Sequence, residues 1–209
     1  MLLAYGIAWQ GTPLPDRPGI LDHPLAWAVV NDLAVLVEPG FDGQTLEGWG
    51  ESQWLAAALA HTAVVQAVFA AAPILPIALR SGFFGDVAPI YALLQEQGPH
   101  WTARLQDLTG CGEVTVRVTP APTPPPTGGL AGRAYFTAKR ERGQGLAVVQ
   151  DILSAHSREH RVRPAQGAEV LRWDVLVSAA QLADLQAKTG QISGWQVQIG
   201  EWWPPYGFV

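Results

Sequence analysis

Leu3, Tyr5, Ile7 and Trp9 recur at every second position near the start of the chain. That period places them on one face of a strand. Trp27 to Val30 and Leu33 to Val37 are two further apolar runs, joined at Asn31-Asp32. Asn and Asp tolerate positive φ, so the junction predicts a tight hairpin. From Glu51 to Ala72 the period lengthens to that of a helix. Trp54, Ala58, His61, Val65, Val68 and Ala72 share one face, and Ala56, Ala60, Ala63, Ala67 and Ala71 line another. An alanine face lets a neighbouring element approach closely, and core packing is its expected use. Asp86 is placed to cap the next helix. Gly98-Pro99 should kink or split that helix, because Pro99 lacks an amide and clashes with the preceding turn. Trp101, Leu105 and Leu108 continue its apolar face, and Gly110 and Gly112 end it. Val114, Val116 and Val118 alternate with Glu113, Thr115, Arg117 and Thr119, the pattern of a half-buried strand.

Pro120 to Gly129 holds five prolines and then two glycines. Such a stretch favours extended polyproline II followed by flexible chain, which reads as a linker. Beyond it, Arg133 to His160 is expected to be helical, with Leu146, Val149, Ile152 and Leu153 as its apolar stripe. Gly143 and Gly145 each cost about 1 kcal/mol relative to Ala there and are candidate break points. Leu171, Trp173, Val175 and Val177 face one way along a strand, and Arg172 and Asp174 the other. Ser178 with Gln181 is a capping box, and Gly190 stands where a C′ glycine belongs. Trp195, Val197 and Ile199 make a last strand. The second half reads helix, strand, strand, helix, strand. That order fits a small α+β sandwich, a variant of the ferredoxin-like type. The expected organisation is therefore α+β: an N-terminal α+β domain over 1–119, a linker over 120–131, a ferredoxin-like domain over 132–200 and a tail over 201–209.

Composition sharpens this picture. Of 209 residues, 48% are hydrophobic and only 15% charged, against about 25% charged in ordinary soluble domains. Disorder over the full length is excluded, and a net charge of -5 gives no long-range pull on nucleic-acid phosphates. Cys111 is the single cysteine, which excludes an internal disulfide and a cysteine-based metal site, and suits a reducing cytoplasm. Met1 to Trp9 has neither the positive region nor the cleavage site of a signal peptide. Gln53 to Leu79 carries no formal charge, yet His61, Thr62 and Gln66 interrupt it and Pro73 and Pro76 break it. It reads as a buried or partner-facing helix rather than a membrane span. Nine Trp residues point to packed interfaces.

Little here suggests reaction chemistry. His156-Ser-Arg-Glu-His160 matches the H-x-x-E-H spacing of inverted zinc peptidases, in which two imidazoles share a helical face. Arg158, Arg161 and Arg163 crowd that site with positive charge, and a third protein ligand is wanting. A solvated helix end is the better account. His23 and His100 lie beside prolines in expected loops, and His61 reads as a hydrogen-bonded packing residue. Cys111 has no local base or cationic neighbour to activate it. Lys139 to Arg142 is a solvated charge run, and Gly143-Gln144-Gly145 is only a fragment of a phosphate loop. No catalytic, cofactor-binding or metal-ligating residue is assigned.

The tail is the most informative segment. Trp202, Trp203, Pro204, Pro205, Tyr206 and Phe208 make it apolar and conformationally restricted. Disordered termini are usually polar. This one is expected to fold back and pack between the two domains.

Five segments complete the reading: Ala4-Tyr5-Gly6-Ile7, Leu33 to Glu38, Ile74 to Phe84, Gly132-Arg133-Ala134-Tyr135, and Trp203-Pro204-Pro205-Tyr206-Gly207-Phe208. Together they resemble the gas vesicle GvpF/GvpL family of accessory proteins. They look like its opening Y-G-I strand, its second apolar strand, its L-P-x-R-F-G-T-x-F segment, the G-R-A-Y-L start of its second-domain helix and its terminal W-P-P-Y-x-F. The third departs from the pattern, with extra residues before Arg80 and without the usual Phe and Thr around the glycine. The ending is the most specific match. The resemblance implies a two-domain α+β protein that is not an enzyme and is needed to build gas vesicles. It implies a minor component or assembly factor, shell-associated within the cytoplasm. Its partners would be the small hydrophobic shell protein and other accessory proteins, with no cofactor, nucleic acid or lipid membrane. The competing reading is a small-molecule enzyme or ligand-binding module on the ferredoxin-like domain.

Overall fold

The alternation at the start of the chain becomes β1 (Leu2–Trp9), the strand around which the first sheet is built. The computed structural model describes residues 1–42, 46–122, 131–190, 192 and 194–209, with side chains between 131 and 142 described only at Thr137 and Arg140. β2 (Ala26–Val30) and β3 (Leu33–Pro39) form the expected hairpin, with Asn31 at φ 52° in its turn. β3 pairs antiparallel with one edge of β1, and the short strands β4 (Ile74–Pro76) and β5 (Phe83–Phe84) share the other edge.

β1 departs from simple alternation. Ala4 is opposite Val37 but Gly6 is opposite Leu36, so Tyr5 is an extra residue in a β-bulge. The bulge reverses the parity of everything after it. Leu3 and Tyr5 join the core under α1 (Glu51–Phe69), with Val64, Val65 and Val68. Ile7, expected on that same face, instead lies with Ala4 and Val35 against α2 (Ala88–Leu108). Both faces of β1 are thus covered, and Leu2 to Ala8 are all buried.

α2 contains Pro99 yet continues through it as one helix, and His100 lies in the helix rather than in a loop. Its buried residues Ile90, Leu94, Leu105 and Leu108 flank the proline on both sides, so packing spans the missing hydrogen bond. Asp86 accepts the Ala88 amide at 2.9 Å, immediately ahead of the helix.

The second unit is built on β6 (Cys111–Pro120), followed by α3 (Ala131–His156), β7 (Glu159–Arg163), β8 (Leu171–Ser178), α4 (Ala179–Thr189) and β9 (Trp195–Ile199). The sheet order is β7-β8-β6-β9, antiparallel throughout. This is the β-α-β-β-α-β arrangement of ferredoxin-like folds. The architecture is α+β in both units. β6 belongs to the second sheet, although the 1–119 boundary put it in the first domain. Its partners lie far downstream, as the pairs Val116–Trp173 and Val116–Ile199, 57 and 83 residues apart, show, beyond the reach of a local pattern. By contact, Cys111–Trp202 and Phe208 form this unit, and Met1–Gly110, Trp203–Gly207 and Val209 form the other.

Three local expectations change here. α3 runs through Gly143 and Gly145, because its following turns are anchored by Val149 and Leu153, both buried. It ends at His156, and the residues expected to extend it to His160 pair with β8 instead. Gly190 closes α4 with φ -67°, a right-handed cap rather than a left-handed one. The Ser178–Gln181 capping box is formed as read. Most of the Pro/Gly linker, residues 123–130, lies outside the described residues.

Candidate functional site

α1 shows two very different sides. Its inner stripe is Ala57, His61, Val64, Val65 and Val68. Its outer side carries Leu55 and Leu59, 62% and 65% exposed, beside exposed Ala56. The alanine stripe expected to pack in the core is at the surface: Ala56 and Ala71 are exposed, and Ala60, Ala63 and Ala67 are half-buried. The valine stripe fits the sheet better because it fills more volume against Leu3 and Leu36. No charged residue occurs between 52 and 79. Beyond Glu51, which stands exposed at the start of the helix one turn before Leu55, the outer face is apolar or neutral. Isolated exposed leucines are ordinary; here two stand one turn apart on a stretch without charge.

The start of α1 is framed by aromatics. Trp54 meets Trp49 edge-on at 5.0 Å and Phe83 at 6.4 Å, and Phe83 meets Phe41 at 5.4 Å. Arg80 stacks its guanidinium over Trp54 at 5.4 Å. The 74–84 segment that departs from the family pattern thus supplies the cation and one ring of this cluster. Gly82 lets it approach β1, since a Cβ there would lie 2.4 Å from the Ala4 carbonyl oxygen.

Beneath the helix is a buried polar cluster. Glu38 has no solvent exposure. Tyr5 donates its hydroxyl to Glu38 Oε2 at 2.5 Å. The Ile20 amide donates to the same oxygen at 2.7 Å, and the Leu21 amide donates to Oε1 at 2.9 Å. His23 Nδ1 stands 3.8 Å from Oε1. Burial first, and then the Glu38 hydrogen bond and charge, push the Tyr5 hydroxyl far above its ordinary range, so it remains a donor. His61 stacks on the Tyr5 ring at 4.9 Å, and its Nδ1 lies 3.5 Å from the Tyr206 hydroxyl. Its Nε2 is buried without a hydrogen-bond partner among the described residues. Burial lowers the His61 pKa to about 4, which keeps the ring neutral near pH 7. Burial also raises Tyr206. Both tyrosines thus keep their hydroxyl protons, and His61 stays neutral. The arrangement anchors the 19–23 loop and offers no activated nucleophile. Glu38 went unassigned in the sequence; its only signal was a carboxylate closing the apolar run Leu33 to Val37.

The tail residues are placed as follows. Pro204, Pro205 and Phe208 are buried, and Trp202, Trp203 and Tyr206 are half-buried. Tyr206 packs against the core of the first unit. In the second unit, Trp202 lies on Gly112, where any Cβ would fall 1.1 Å from its Nε1. Arg161 stands 5.2 Å over the Phe208 ring.

The remaining candidates separate. His156 ends α3 with Nε2 2.7 Å from Lys188 Nζ, whereas His160 is on β7, stacked on Trp173 at 4.4 Å. The two imidazoles therefore do not share a helical face, and no cluster of metal-ligating side chains occurs among the described residues. Cys111 is buried. Among the described residues no helix is long and apolar enough to cross a membrane.

Comparison with known proteins accords with this picture. The family model described as "Gas vesicle synthesis protein GvpL/GvpF" matches residues 1–127 and 130–209. No curated protein matches the chain in sequence. The crystal structure of gas vesicle protein GvpF from Anabaena sp. PCC7120 superposes with a TM-score of 0.68 at 16% identity, covering 99% of this chain and 94% of that one. GvpF from Microcystis aeruginosa superposes with a TM-score of 0.70, also at 16% identity, covering 99% and 98%. At that identity the likeness speaks for a shared fold.

Proposed function

Because the chain belongs to the GvpL/GvpF family of gas vesicle synthesis proteins, we propose that it is a minor component or assembly factor of the gas vesicle. In this role it contacts the hydrophobic shell protein, and other accessory proteins, and resides at the shell within the cytoplasm. The observation that carries the reading is the outer face of α1, where Leu55 and Leu59 stand exposed on a helix without a charge from residue 52 onward. A partner that covered these leucines would remove their apolar area from water, worth roughly 25 cal/mol per Å². The tail serves the folded chain in this reading, as the burial of Pro204, Pro205 and Phe208 supports.

The test is co-purification of the shell protein with the wild-type chain and with a Leu55→Lys, Leu59→Lys variant. Both positions are exposed, so the variant should melt like wild type. The wild type should retain the shell protein in about 1 M salt, where charge pairing is screened to about 3 Å. The variant should lose it. Complete release of the wild type by salt, or undiminished binding by the folded variant, would overturn the reading.

A further inference from the structure

On the α2 side of the first sheet lies a pocket of about 170 Å³. Its floor is Ala4 and Ile7 of β1, Val35 of β3 and Leu75 of β4, and α2 contributes Leu93 and Trp101. The floor residues are 0–4% exposed, while Leu93 at the rim is 38% exposed. All ten residues lining the pocket are of apolar type. The Tyr5 bulge turns Ile7 onto this face, where it lines the pocket together with Ala4.

Protein interiors are packed as densely as organic crystals, and a void forfeits dispersion contacts along its whole lining. An enclosed apolar cavity of about 150 Å³ takes up benzene or xenon; this pocket matches it in size and apolar lining but opens to solvent at Leu93 and Val209, 38% and 54% exposed. A polar molecule entering such a site would surrender its hydrogen bonds to water without replacement. We propose that this pocket is a binding site for a small, neutral, apolar molecule of about benzene size. The site lies on the opposite side of the sheet from the α1 surface, so its fate is independent of the shell-contact reading.

The experiment uses the full chain, with benzene and xenon as probes and phenol as a polar match for benzene. Methyl resonances of Ile7, Val35, Leu75 and Leu93 should shift saturably with benzene, with a dissociation constant on the order of 1 mM. Xenon should shift the same methyls, and phenol should bind at least about tenfold more weakly. Leu93→Trp, at the exposed rim, should fill the pocket and weaken benzene binding at least about tenfold. If that variant fails to fold, contacts between bound benzene and the Ile7 and Leu75 methyls in the wild type decide the matter. Linear, unsaturated shifts, shifts centred on other methyls, or phenol binding as tightly as benzene would overturn the proposal.

Discussion

Glu38 on β3 and Asp174 on β8 are both buried carboxylates on sheet strands, and their surroundings differ in kind. Glu38 is fully enclosed, and the groups that donate to it are neutral: the Tyr5 hydroxyl and the amides of Ile20 and Leu21. Asp174 retains 6% exposure and accepts from the Thr115 hydroxyl and from the guanidinium of Arg163, a side chain 46% exposed. In the first unit the carboxylate organises a loop that has no ladder of its own. Gly19 clears the way, since a Cβ there would lie 2.1 Å from the carboxylate. In the second unit β7 is already held to β8 by backbone pairing, with Arg161 opposite Asp174, so the ion pair only adds to an existing contact. A buried charge held by dipoles is part of the fold's framework, whereas one held by a surface cation is an accessory to it.

The strongest way to break this comparison is Glu38→Ala. It leaves a buried hydroxyl and two amides without an acceptor and should cost about 3–5 kcal/mol in denaturant unfolding. Amide exchange at Ile20 and Leu21 should accelerate with it. Glu38→Gln, which keeps one oxygen acceptor, should lose about half as much. A loss from Glu38→Ala no greater than that from Asp174→Ala would reject the distinction.

The next effect sharpens the comparison through pH. His61 packs on the same Tyr5 that holds Glu38, and its folded pKa is lowered by burial from 6.5 to about 4. Between those values the unfolded chain takes up a proton that the folded chain refuses. Stability from this group is therefore full above pH 6.5, falls as pH drops toward 4, and levels off below. The whole span is worth about 3 kcal/mol. His61→Phe should flatten the profile across that window relative to wild type, read as the difference between their unfolding free energies at each pH. Parallel profiles would show that the ring titrates normally in the folded chain.

The smallest effect belongs to the second unit. Arg163→Ala should cost about 1 kcal/mol or less, because its partner pair is open to solvent on one side, and the cost should shrink further in high salt. A double-mutant cycle with Asp174→Asn measures the coupling directly. A coupling above about 2 kcal/mol, insensitive to salt, would place Asp174 in the same class as Glu38.

Where an element is stabilised along its own length, its residues announced it. Leu171, Trp173, Val175 and Val177 alternate and line the second core, and Ser178 with Gln181 caps the helix that follows. The Asn31-Asp32 turn is equally local. Where two segments far apart decide the outcome, the pattern misled. Tyr5 and Ile7 share a period but not a face, because a single extra residue against β3 reverses parity. His156 and His160 share a spacing but not a helix, because Glu159 to Arg163 finds a partner in β8. The alanine and valine stripes of α1 are both plausible core faces, and only the sheet beneath selects the valines.

By itself, the sequence determined the α+β class, most strands and helices, and the poverty of charge that leaves α1 with an apolar outer face, because these follow from period and composition. Its terminal and opening motifs were enough to indicate the family. Tertiary structure alone decided that β6 starts the second sheet, that Tyr5 is the bulge, that Glu38 holds the 19–23 loop and that Ala4 and Ile7 line a pocket beside α2. The reason is the same in each case. Strand partners, buried hydrogen bonds and packing voids depend on which distant residues meet, and no local period encodes that meeting.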